Sequence, residues 1–316
     1  MSRIKQLYSR IAPASKRQMK KIIEELQSLN SSLVQENQLL QAILEKNIDT
    51  MKKEISIART EIGDVRDKID EVETNLNILK DKLYVTEKHS YHAFLQAQEA
   101  VWAHVWTDTT KNVEWLEHVT FSPGRWAVGY QYLYVLYRAL TEVHPNSVLE
   151  LGLGQSTRLI GQFAAQQTDV EHIVVEHDES WIKFFTDTNP LGASTRIAKA
   201  ELITAPYLDD DQVVMYKDFE EMMEGKKFNL VSIDAPFGGN AKKYARVDLL
   251  KIMPDCLDKS FMIMIDDYNR PGEKETVRKI EEVLNLAGIS YSKGMYCGVK
   301  ETAVITSSDW AFLCTL

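Results

Sequence analysis

Eleven apolar side chains recur at alternating steps of three and four along one stretch: Ile48, Met51, Ile55, Ala58, Ile62, Val65, Ile69, Val72, Leu76, Leu79 and Leu83. This spacing keeps a narrow apolar stripe on one side of a helix, which is the seam of a coiled coil. Upstream the seam runs through Ile22, Leu26, Leu29, Leu33, Asn37, Leu40 and Leu44. Paired steps of four in that part make eleven-residue units, which locally unwind a supercoil. Asn37 on the seam trades stability for register. With Ile48 at position a, the g-to-e pairs are Glu54 with Arg59, Glu61 with Arg66, and Lys68 with Glu73. All three are opposite in sign, which suits parallel, in-register chains. β-Branched Val65 and Val72 at d lean towards a trimer, while Ala58 and the final leucines leave a dimer open. Residues 18 to 84 would form a rod of roughly 100 Å at about 1.5 Å per residue.

Glycine and proline mark where the rod gives way. Residues 1–88 contain only Gly63 and Pro13, against thirteen glycines and seven prolines in the rest. The expected division is a basic amphipathic segment over 1–17, a parallel coiled coil over 18–88 and a compact domain over 89–316. Residues 1–21 carry seven basic side chains and no acid, yet the whole chain has a net charge of −9. That acid excess argues against a nucleic-acid binder. Ile4, Leu7, Tyr8 and Ile11 share one helical face among the basic residues. Such a face suits an anionic membrane surface or a partner protein, for instance a glycosyltransferase. No apolar run approaches the roughly 18 residues of a membrane span, and no secretory core opens the sequence. Cys256, Cys297 and Cys314 are too scattered for a zinc ribbon or a disulfide framework. The expectation is a cytoplasmic protein, peripheral at the inner membrane face if the basic segment binds lipid.

Past residue 89 the pattern changes. Residues 90–107 and 126–143 read as helices, with Phe121-Ser122-Pro123-Gly124 as a turn between them. Short apolar runs then alternate with helical stretches. Strands are predicted at 147–151, 172–176, 200–204, 228–234 and 261–266, with two more in 289–316; helices are predicted at 156–166, from 179, and at 273–287. This alternation predicts a largely parallel α/β sheet covered on both faces. Ligands of such sheets bind beyond the carboxyl ends of the strands.

The polar residues collect at those ends. Glu150-Leu-Gly152-Leu-Gly154-Gln-Ser156-Thr157 ends a strand in an acid, turns tightly through two glycines, and offers Ser156 or Thr157 as a helix cap. It lacks the third glycine of the dinucleotide fingerprint and the Gly-Lys-Ser/Thr of a phosphate loop. An acid before the glycines repels a pyrophosphate but suits the cationic end of S-adenosylmethionine. Glu176 closes the next strand, where an acid accepts hydrogen bonds from ribose hydroxyls.

These segments, with Ile233-Asp234-Ala-Pro236 and Ile265-Asp266-Asp267, resemble the class I S-adenosylmethionine-dependent methyltransferases, over roughly residues 115–316. Asp234-Ala-Pro-Phe-Gly-Gly239 and Asp266-Asp267-Tyr-Asn-Arg270 are similar to motifs of plant glucuronoxylan 4-O-methyltransferases. The spacing of acids also resembles the catechol-type O-methyltransferases. The resemblance implies a Rossmann-like methyltransferase sheet behind a long helix. It also implies O-methyl transfer to a sugar hydroxyl of a polysaccharide or glycan. Cofactor contacts would come from Glu150, Gly152, Gly154, Ser156, Thr157, Glu176 and Asp234. By the catechol-type pattern, Asp234, Asp266 and Asp267 would hold Mg2+ or another divalent cation. The chain departs from that pattern in having Asp267 where the catechol type has Asn, and in a displaced lysine. Asp234, Asp267 or His118 would serve as base, and Arg270, Lys242 and Lys243 would bind an anionic substrate such as a uronic acid. Trp126, Tyr130 and Arg125 lie where such enzymes often cover the cofactor. The alternative is a methyltransferase-like scaffold, weak or silent in catalysis, that oligomerises and organises partner enzymes.

Overall fold

The computed structural model describes the backbone of residues 2–124 and 126–316, and side chains from residue 16 onward except Arg125. The apolar face of Ile4, Leu7, Tyr8 and Ile11, and the side chain of Arg125, lie outside the described residues. Helix α1 runs without a break over Ser2–Thr110. The helix predicted at 90–107 is therefore its continuation, because after Gly63 no glycine or proline interrupts the chain before Pro123. Two compact units divide within it, one up to Val85 and one over Thr86–Leu316. In the first unit the seam residues face outward, with Ile62 68% and Leu83 69% exposed. Among the described residues, no helix is long and apolar enough to cross a membrane.

The second unit includes the last turns of α1, which pack through Trp106 and through a 2.8 Å hydrogen bond from Trp102 Nε1 to the Cys297 carbonyl. The remaining helices are α2 (Tyr130–Glu142), α3 (Gln155–Ala165), α4 (Glu179–Thr188), α5 (Phe219–Met222) and α6 (Pro271–Leu286). The strands are β1 (Ser147–Leu151), β2 (Glu171–Glu176), β3 (Thr195–Lys199), β4 (Leu202–Tyr207), β5 (Asp210–Tyr216), β6 (Phe228–Ile233), β7 (Leu257–Ile265), β8 (Tyr291–Cys297) and β9 (Glu301–Ser307). Seven of them form one Rossmann-like sheet in the order β3-β2-β1-β6-β7-β9-β8. Its pairs are parallel from β3 to β7, and β9 is antiparallel to both β7 and β8. The strand predicted at 200–204 is displaced: residues 195–199 enter the main sheet, and Leu202–Tyr207 pairs with β5 in a separate hairpin.

Period-two alternation builds a core on each face of the sheet. Leu149, Leu151, Val175, Val231, Ile263 and Ile305 pack with α6 and the β4–β5 hairpin. Val148, Leu230, Met262, Met264 and Val304 pack beneath α2 and α3. Strand order reverses between β1 and β6, so the loops leaving them diverge and open a crevice, the usual ligand position of an open α/β sheet.

Candidate active site at the sheet switch point

A cavity of about 550 Å3 occupies that crevice. Its floor is the turn after β1. Gly152 has φ +104°, and a Cβ there would lie 2.8 Å from the Ala235 Cβ. Glycine is needed both for the left-handed backbone and for the close approach of the turn to the loop after β6. Helix α3 starts at Gln155 behind the cap residue Gly154, earlier than predicted. Thr157 is therefore inside the first turn, where its hydroxyl accepts the Gly154 N–H at 2.9 Å. It is fully buried and does not line the cavity, whereas Gly152, Gly154 and Ser156 do.

Glu176, at the end of β2, lines the cavity and also ties the turn to the loop behind it. Its Oε2 accepts the Leu153 N–H at 3.1 Å, and its Oε1 accepts those of His177 and Asp178 at 2.7 and 2.9 Å. Trp181 adds a second tie, donating to the Leu153 carbonyl at 2.7 Å. Glu150, by contrast, does not line the cavity. It follows Leu149 on β1 and therefore shares the face of Val148, beneath α2 and α3. There it lies 1% exposed, with Oε2 3.1 Å from His172 Nε2. The acid before the glycines braces β1 against β2 and does not reach the ligand space.

The loops after β6 and β7 supply the other wall. Asp234, Asp266 and Asp267 have oxygens within 4.8 Å of one another. Sequence reasoning missed their partners. Arg246, 2% exposed, places Nη2 2.8 Å from Asp267 Oδ2 and 3.2 Å from Asp234 Oδ1. Lys300 Nζ lies 2.8 Å from Asp266 Oδ2 and 3.6 Å from Asp267 Oδ1. Arg270 Nη1 lies 2.8 Å from Asp267 Oδ2 and 3.6 Å from Glu273. Arg246 and Asp267 have φ of +58° and +59°, unusual for non-glycine residues, and such strain is found where the surroundings hold a functional residue in place. Burial, and next the charge of Asp266, push the Asp234 carboxyl up to about 8. Burial also raises Asp266, against the pull of Lys300. Burial opposes the Lys300 ammonium, but Asp266, Asp234 and Asp267 keep its pKa above the ordinary lysine value.

These partners decide how well a divalent cation fits. Such an ion needs several carboxylate oxygens converging at about 2.0–2.6 Å. Here Asp267 gives both oxygens to resident cations, and Asp234 and Asp266 give one each. The carboxylates are close enough for a metal, and Asp234 and Asp266 each keep one oxygen outside these pairs. But both oxygens of Asp267 are taken by cations, and a guanidinium and an ammonium already sit among the three, so the set fits a divalent ion poorly.

Asp267 and Arg270 line the cavity with Asp234; Asp266 lies behind them, fully buried. Lys242 is exposed and Lys243 pairs with Asp209 at the β4–β5 turn, so neither reaches the cavity. His118 lines a different cavity of about 320 Å3, with Arg158 and Gln162 of α3. Lys300 stands just before β9, which pairs antiparallel with β7 and so brings its start beside the carboxyl end of β7. Nothing in the spacing singles out Arg246.

No protein-family model matches the chain, and no curated protein does. Among solved structures, the chain is similar to an O-methyltransferase from Bacillus cereus in complex with SAH, at 13% identity over 67% of this chain and 90% of that one, with a TM-score of 0.41. It is similar to the O-methyltransferase TomG from Streptomyces achromogenes in complex with SAM, at 10% identity over 66% of this chain and 99% of that one, with a TM-score of 0.44. It is also similar to a spermidine synthase, at 12% identity over 55% of this chain and 60% of that one, with a TM-score of 0.34.

Proposed function

We propose that this chain is an S-adenosylmethionine-dependent O-methyltransferase acting on a sugar hydroxyl of a polysaccharide or glycan. One observation carries the reading: a glycine turn, the acid ending β2 and the aspartate that follows β6 all face one cavity at the switch point. The residues suit the cofactor. Nothing lies within 4 Å of a Cβ built on Gly154, so the turn leaves room against its backbone. Glu176 Oε2 has a single amide donor and so keeps acceptor capacity for ribose hydroxyls. When bound, the cofactor supplies a methyl group on a sulfonium, open to in-line displacement by oxygen.

The base is Asp234. It lines the cavity with its side chain 17% exposed, and a carboxyl raised to about 8 is matched to proton transfer near neutral pH. It takes the proton of the acceptor hydroxyl. Asp267 is a poorer base, since both its oxygens face cations, and His118 belongs to the other cavity. The sugar assignment draws on the resemblance of the Asp234 and Asp266 motifs. It is supported by Trp126 and Phe237 at the cavity, 78% and 49% exposed with ring centroids 5.4 Å apart, an apolar platform for the C–H face of a sugar ring. A silent scaffold is not favoured, because it has no use for an aspartate with a raised pKa at a cavity wall. In this reading the chain works in the cytoplasm as a parallel dimer or trimer, with residues 1–21 against the inner membrane face or a glycosyltransferase.

Calorimetric titration with S-adenosylmethionine tests the core of the reading. Glu176→Gln should weaken binding on the order of tenfold or more, from about 1–3 kcal/mol of lost charge-assisted hydrogen bonds. Unchanged affinity would put the ribose elsewhere.

A further inference from the structure

We infer that Arg246 and Lys300 are the resident counter-charges of the Asp234–Asp266–Asp267 cluster and hold the place of a divalent cation, so that the site binds its ligands and works without a metal. The inference rests on the methyl-transfer reading only for the reaction that the cluster serves; the ion pairs and the metal test are independent of it.

Arg246 is locked. Besides its two aspartate contacts, Nη1 donates to the Asp266 carbonyl at 2.9 Å and Nε to the Pro236 carbonyl at 3.2 Å. A guanidinium so held cannot swing aside for an incoming ion, and freeing its carboxylates would leave it buried and unpaired. Lys300 closes the other side, its ammonium between Asp266 and Asp267. The charges nearly balance. Four carboxylates, Asp234, Asp266, Asp267 and Glu273, face three cations, Arg246, Arg270 and Lys300. With all ionised, one negative charge remains. One negative charge is the most the cluster can carry, and a divalent ion overshoots it. Arg246 and Lys300 are thus positioning residues: they fix the carboxylates and leave Asp234 facing the cavity.

Mn2+ is the probe. The full chain is titrated into Mn2+ and the free-ion paramagnetic resonance signal is followed. The expected result is no saturable loss of signal in the parent chain, or a loss that persists unchanged in Asp266→Asn and Asp267→Asn and therefore arises elsewhere. Asparagine tolerates the left-handed backbone at 267, so that variant keeps the test usable if Asp266→Asn does not fold. Lys300→Met keeps the aliphatic stem but releases one oxygen of Asp266 and one of Asp267; it should bind Mn2+ at least tenfold more tightly than the parent. One ion per parent chain, lost in either aspartate variant, would overturn the inference. So would a folded Lys300→Met variant that gains no affinity. Failure of S-adenosylmethionine to bind would sink the methyl-transfer reading and leave the Mn2+ result standing.

Discussion

At the residue scale the site turns on one carboxyl. Asp234 is neutral below about pH 8 in the free protein, because burial and the charge of Asp266 disfavour its ionised form more than Arg246 and Lys300 restore it. Its folded pKa lies above the ordinary 3.8, so its ionisation opposes folding: stability is full below about pH 4 and is lost as pH rises through 8. A base must be ionised to act. Methyl transfer to a glycan acceptor should therefore rise with pH towards 8, and a bound sulfonium should move the rise lower. Asp234→Asn should reduce transfer about 10²–10⁴-fold and abolish that rise, while cofactor affinity changes only a few-fold. Rate against pH and calorimetry on the same variant separate the two effects. Retention of the pH rise in the variant would assign the base to another group. Asp234 was readable because it ends an apolar run. Glu150 belongs to a similar run but lies inside β1, ahead of Leu151, and is held there against His172 of β2. Strand-end position reveals an acid; it does not reveal the direction of its side chain.

At the scale of elements, the parallel strands were readable because strands buried on both faces are continuous apolar runs. The β4–β5 hairpin was not, since most of its side chains are exposed or half-buried and its turn lies among Asp209, Asp210 and Asp211. This hairpin is joined to the main unit by Asp248, in the short 3-10 turn at Asp248–Lys251 between β6 and β7. Asp248 Oδ1 accepts the Tyr216 N–H at 2.7 Å, and Oδ2 is buried without a partner among the described residues. Burial raises its carboxyl to about 6 from 3.8. Its contribution is greatest below about pH 4 and falls as pH rises through 6, by on the order of 3 kcal/mol. Asp248→Asn keeps the acceptor and removes the titration. Thermal melts should therefore shift in favour of the variant between pH 4 and pH 8, by roughly 6–12 °C at about 2–4 °C per kcal/mol. A constant difference between parent and variant across that range would mean that Asp248 is ionised throughout. The same scale explains why Lys300 was overlooked. Its role follows from β9 pairing antiparallel with β7, and apolar periodicity alone does not give strand direction.

For the whole molecule, the open question is what covers the seam of α1. Ile62, Ile69 and Val72 are 68%, 59% and 66% exposed in the single chain. A repeated apolar stripe of that length is a poor solution for a helix surrounded by water, because apolar area left exposed forgoes about 25 cal/mol per Å2. Flanking charge selects the occupant. Glu54, Glu61 and Lys68 each meet an opposite charge at the next e position only if a second copy lies parallel and in register. In the single helix, the ion pairs on this stretch, such as Lys52 with Asp49, are exposed and contribute little. A parallel homo-oligomer is therefore the arrangement that uses both features at once. Ile62→Asp with Ile69→Asp would place unpaired carboxylates at two successive a positions of every chain, where burial without partners is strongly unfavourable. Light scattering should then give the monomer mass for the double variant and two or three times that mass for the parent. The compact unit should keep its affinity for S-adenosylmethionine, since neither substitution lies within Thr86–Leu316. Equal masses for variant and parent would show that the stripe does not join copies of this chain.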